Sequence, residues 1–163
     1  RYTIGTVALI YSKSMQKGSS TLFTLILLAL VVWTFWLFFY KGDTPRITFP
    51  SGVVLNVIIA DTPALREKGL SKREILRDDE GMLFVFETLD RHQIWMKDMY
   101  FPLDIVWLDE NFKIIDIHKG VSVSSYPNTF QPQSSAGFAI EVNSGYTTRN
   151  NVKVGDIVKF ERK

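Results

Sequence analysis

The 163-residue chain contains no cysteine. That excludes disulfide scaffolds, thiolate zinc sites, iron–sulfur ligation and a cysteine nucleophile. Histidine occurs only twice, as His92 and His118, too few for a multi-histidine metal centre. The phosphate loops Gly-x-Gly-x-x-Gly and Gly-x-x-x-x-Gly-Lys are missing, and so is the Gly-x-Ser-x-Gly elbow of serine hydrolases. There is no basic run, no internal repeat and no low-complexity tract. Even the pI of about 8.8 is misleading as a guide to the folded part. Residues 1–46 carry Arg1, Lys13, Lys17, Lys41 and Arg46 against Asp43, a charge of +4. The whole chain is +2, so the remainder is −2. A mildly acidic domain without a basic patch is not a nucleic-acid binder.

What is present is one long apolar run. Leu22 to Tyr40 carries no charge and only two polar residues, Thr24 and Thr34. As a helix its 19 residues would span about 28 Å, close to the hydrocarbon thickness of a bilayer. Trp33, Trp36 and Tyr40 cluster at its end, as interfacial aromatics do. The run is longer than a signal-peptide core and is followed by Lys41-Gly42-Asp43-Thr44-Pro45, without a small-x-small cleavage site. We therefore expect a retained transmembrane signal anchor over 21–41. Before it lies a flank, 1–20, without structure of its own, in which Met15 is the suspected true start. The chain would then be a single-pass membrane protein, N-terminus cytoplasmic and C-terminal domain outside. The flanking positive charges nearly balance, so this orientation rests on the short N-terminal flank.

After a short linker and first strand over 42–52, residues 53–163 read as one domain. Val53 to Ala60 is β-branched and apolar, a strand. Thr62 as N-cap, Pro63 in the first turn and Gly69 beyond the end frame a short helix over 64–68. Ser71 and Glu74 have capping-box spacing for a second helical turn through Leu76. Met82 to Phe86 is apolar on both faces and so a central, covered strand. Further strands are expected over 91–97, 103–109, 112–118, 137–143 and 157–161, with a short helix or turn over 144–150. The loop 119–136 is long enough to suggest a purpose. Short strands without long helices predict a mainly β fold, a compact sandwich or partly closed jelly-roll-like barrel with two or three short helices.

Several strings stand in order along this domain: Ala60-Asp61-Thr62-Pro63, Arg66-Glu67-Lys68-Gly69-Leu70, Glu80-Gly81-Met82-Leu83-Phe84-Val85-Phe86, Trp95-Met96-Lys97, Pro102-Leu103-Asp104-Ile105 and Gly155-Asp156. Together they resemble the prokaryotic DUF192 family, also called UPF0127, over residues 53–160. One departure is Ser71, where the family usually has Met after Gly-Leu. The resemblance implies a mainly β, jelly-roll-like fold, commonly exported or membrane-anchored, and no particular chemistry.

Three charges interrupt apolar strands: Lys97, Asp104 and Glu141. Charges in such settings are rarely buried unless paired. Asp104 and Glu141 as a carboxylate pair could do acid–base work or hold a hard cation, with Lys97 tuning them. A solvated face, or an ion pair that pins strand register, explains the same pattern. Trp95, Tyr100 and Tyr126 are candidate ligand contacts, since aromatics near loops stack on sugars or peptides. Asp116 and His118 share a strand face, which reads as a polar edge, and His92 reads as a surface or edge residue. No metal site and no cofactor are expected. The leading reading is a membrane-tethered β domain that binds a small-molecule, glycan or protein ligand. The alternative is a hydrolase or lyase using Asp104, Glu141 and Lys97.

Overall fold

The computed structural model describes residues 21–36 and 44–162. These belong to two compact units divided between Gly42 and Asp43. The predicted flank at 1–20, with Met15, and the end of the apolar run at 37–41 lie outside the described residues.

In the first unit, residues 21–36 are helical (α1) and exposed. The hydroxyls of Thr24 and Thr34 donate to the carbonyls of Thr21 and Val31, so their polarity is absorbed by the helix backbone. Its sixteen described residues rise about 24 Å. Among the described residues no helix is long and apolar enough to cross a membrane. The expected span over 21–41 runs on into 37–41, outside the described residues.

The second unit is mainly β. In chain order it comprises β1 (Arg46–Thr48), β2 (Val54–Ala60), α2 (Pro63–Lys68), β3 (Glu80–Asp90), β4 (Ile94–Trp95), β5 (Leu103–Leu108), β6 (Ile114–Val121), a 3-10 turn (Val123–Ser125), β7 (Thr129–Phe130), β8 (Ala136–Asn143), α3 (Tyr146–Arg149) and β9 (Lys159–Glu161). Seven strands form one mixed sheet in the order β6-β5-β8-β3-β2-β1-β9, and β4 pairs with β7 apart from it. Only β2 and β3 run parallel, with α2 in the crossover between them. Of the expected sandwich or partly closed barrel the mainly β character holds, as one large mixed sheet; among the described residues no closed barrel is found. One isolated bridge, Lys113 to Ile157, joins the chain ahead of β6 to the chain ahead of β9, without closing the sheet.

Both faces of the sheet are covered, which explains the unbroken apolar strings in its middle. Every residue of β5 is buried. One face packs Ile47, Leu55, Leu83, Val106, Ile140 and Val142 into a core. The other packs Met82, Phe84, Leu103, Ile105, Trp107 and Ala139 with Leu70, Ile94 and Met96. The helix signals at Thr62–Gly69 are met: Thr62 accepts from the Leu65 amide, Pro63 opens α2, and Gly69 ends it at φ +51°. The second helical turn at 71–76 does not form. Lys72 takes φ +59°, and the Ser71 hydroxyl donates to the Lys97 carbonyl instead of capping. The strand expected over 91–97 shortens to Ile94–Trp95.

Candidate functional site

The register of β5 and β8 decides how the three interrupting charges are arranged. Asp104 stands opposite Val142, and Ile105 opposite Glu141. Side chains alternate along a strand, so Asp104 and Glu141 point to opposite faces of the sheet. The structure does not bring them together as a pair. Lys97 is exposed and lines an open groove with Lys72, Arg73 and Asp98; it is not in the lining around Glu141, although the two share residues 67–69 and Ser71.

Asp104 is fully buried and fully partnered. Its Oδ1 accepts from the amides of Gly120 (2.8 Å) and Gly145 (3.1 Å). Its Oδ2 accepts from the amide (3.0 Å) and hydroxyl (2.6 Å) of Thr147. Burial pushes its carboxyl up, but the bonds from Thr147, Gly120 and Gly145 together outweigh that and hold it below its ordinary value. Thus Asp104 ties the end of β6 and the start of α3 to β5. Its acceptor capacity is used within the fold.

Glu141 is the opposite case. Its neighbours in the sheet are Met82 of β3 and Ile105 of β5, both apolar. It is 3% exposed, and its Oε2 is buried without a hydrogen-bond partner. Burial alone raises its carboxyl from 4.5 to about 8, so the resting group is largely protonated at neutral pH. Glu141 belongs to the lining of a cavity of about 250 Å³. Phe84 and Phe86 of β3 supply one part of that lining, with Ile94 and Trp95 of β4 and the nearby Met99. The C-terminal end of α2 supplies the rest, through residues 66–71. Gly69 is the close approach: a Cβ there would lie 3.9 Å from Glu141 Oε2 and 3.5 Å from the Phe84 ring.

Of the cations at this cavity, Arg66 is the more enclosed, and it is committed elsewhere. Its Nη1 donates to the carbonyls of Asp61 (2.9 Å) and Val85 (2.8 Å), and its Nη2 pairs with Glu87 at 3.2 Å. Lys68 and Glu67 are exposed. His92 stacks on Phe86, with ring centroids 3.8 Å apart and an interplanar angle of 11°. Its Nε2 lies 2.7 Å from the Thr88 carbonyl, which can only accept, so Nε2 carries the proton.

Of the candidate ligand contacts, only Trp95 lies on this cavity, 41% exposed. Tyr100 and Tyr126 are exposed outside it. Sequence reasoning missed Arg66, Gly69, Phe86 and His92 as members of a site. The available signal was the string Arg66-Glu67-Lys68-Gly69-Leu70, whose glycine ends a helix over the carboxyl. Nothing local marked His92. Among the described residues no group of three or more His, Asp or Glu is placed to hold a metal ion. His118 and Asp116 approach to 3.8 Å, and the His118 ring nitrogen also meets the Gln131 carbonyl at 3.1 Å. That arrangement ties β6 to the segment beside β7.

Comparison with known proteins places this geometry. The family DUF192 ("Uncharacterized ACR") matches residues 46–160. A candidate transcription regulator from Sinorhizobium meliloti 1021 has a crystal structure similar to this chain, with TM-score 0.66 and 30% identity, covering 71% of this chain and 91% of that one. A protein of unknown function from Novosphingobium aromaticivorans DSM 12444 is similar at TM-score 0.65 and 28% identity, covering 74% and 88%. No curated protein matches.

Proposed function

The chain belongs to the DUF192 family, and we propose that its β domain is a small-molecule binding module whose site is the cavity around Glu141. The observation that carries this reading is the carboxyl itself. A buried acid without a hydrogen-bond partner costs stability, on the order of 1–3 kcal/mol. Such an arrangement is typical of functional sites, where a ligand supplies the missing partner. The apolar wall of Phe84, Phe86, Ile94, Trp95 and Met99 suits the body of an organic molecule. The cavity size favours a small molecule over a glycan or a protein.

The hydrolase or lyase reading finds no support in the geometry, because Asp104 and Glu141 face away from each other. Nor does the description of the Sinorhizobium relative transfer readily. The helices of this domain have six and four residues, too short for a recognition helix in a DNA groove.

A tether to the membrane through 22–40, with the β domain outside, belongs to the same proposal. Its support is the uncharged run, of which α1 covers 22–36. Retention in the membrane fraction after an alkaline wash is the expected result; release into the soluble fraction would remove this part.

A fragment set titrated against the full chain, read by amide and indole NMR shifts, tests the binding site. Shifts should concentrate on residues 66–71, 84–99 and 141. Shifts confined to the loop around Tyr126 would contradict the reading.

A further inference from the structure

We infer that the ligand which completes Glu141 is an organic ammonium: a protonated amine on a small apolar or aromatic body. The inference rests on the reading of the cavity as a ligand site and names what that site selects. Three observations carry it. First, the buried Oε2 has no partner, and its sheet neighbours Met82 and Ile105 offer no donor. A ligand N–H would supply that partner. An N–H of a cation makes the shorter, stronger bond to a carboxylate. Second, Phe84, Phe86 and Trp95 line the cavity, and aromatic rings attract cations. Third, among the described residues no cation fills the role. Arg66 holds two carbonyls and Glu87, and Lys68 is exposed.

The charged and titratable groups around Glu141 are few. From α2 come Arg66, Glu67 and Lys68, and from the segment before β4 comes His92. The lining residues of β3, Phe84 and Phe86, and the β5 neighbour Ile105 carry none. Binding has a defined proton balance. The resting acid Glu141–COOH meets R–NH₃⁺, the carboxyl proton leaves to solvent, and a carboxylate–ammonium pair remains. Affinity therefore rises with pH up to the carboxyl's own titration near 8 and then levels off.

Benzylammonium chloride and its neutral isostere benzyl alcohol test this on the full chain. Calorimetry in two buffers of different ionisation enthalpy counts protons, and NMR locates the probe. The expected result is benzylammonium at least about 10-fold tighter than the alcohol at pH 8, with proton release at pH 7 and affinity climbing from pH 6 to 8. Glu141→Gln, which keeps His92, should remove both the preference and the pH dependence. If the alcohol binds at the cavity as well as the cation, or better, the ammonium inference is overturned and the cavity reading stands. Failure of both probes to shift any residue around the cavity would overturn both.

Discussion

At the residue scale, two carboxyls in neighbouring strands behave oppositely because of what surrounds them. Glu141 binds its proton more tightly folded than unfolded. Its stability contribution is present below the unfolded value near 4.5 and is lost as pH rises toward about 8. The slope approaches 1.4 kcal/mol per pH unit, so the loss from pH 5 to 7.5 is about 3 kcal/mol. Urea unfolding of the wild type against Glu141→Gln should show the gap between them shifting by that order across the window, in favour of the glutamine at high pH. A gap that stays constant would show that Glu141 is solvated. Asp104 has the reverse sign. Held below its ordinary value, it stabilises the fold above the unfolded carboxyl pKa, and that contribution is lost as pH falls through the folded one. All four of its partners are donors, so Asp104→Asn turns an amide N–H₂ toward an N–H or O–H. We expect a loss of about 3 kcal/mol or more by the same assay. A loss below about 1 kcal/mol would mean the bonds are not held in solution.

At the element scale, α2 and β3 carry the site. Gly81 lies where β3 meets β8 so closely that a Cβ would fall 2.8 Å from the Glu141 carbonyl oxygen and 2.9 Å from Leu55. Gly81→Ala should therefore cost about 2 kcal/mol or more and displace Glu141, as thermal melts and the shifts of β8 amides would show. Thr62→Ala removes the Leu65 cap and should cost about 1 kcal/mol, loosening the helix end that carries Gly69. Elements with local chemistry were legible in the sequence. Thr62-Pro63 and Gly69 framed α2, and the apolar Met82–Phe86 run predicted a central strand. What escaped depended on distant partners. Ser71 looked like a cap, yet its hydroxyl bonds Lys97, 26 positions away. The strand 91–97 alternated convincingly, but only Ile94 and Trp95 find a partner, in β7. The carboxyl pairing failed for one reason: strand charges can be seen in a sequence, but cross-strand register cannot, and a step of one residue reverses the face.

At the scale of the whole molecule, a sheet covered on both sides keeps the structural acid on one face and the cavity acid on the other. The β domain has its own core on each face, so residues 43–163 alone should melt cooperatively. A fragment without a cooperative melt would show that the first unit is needed. The central claim is that the sheet separates one satisfied carboxyl from one left open for a ligand. The most direct test is an NMR titration of the side-chain carboxyl carbons of Glu141 and Asp104 in the full chain. The account predicts a Glu141 midpoint near 8 and an Asp104 midpoint below the ordinary 3.8. A Glu141 midpoint near 4.5, or two carboxyls titrating together as a coupled pair, would contradict it.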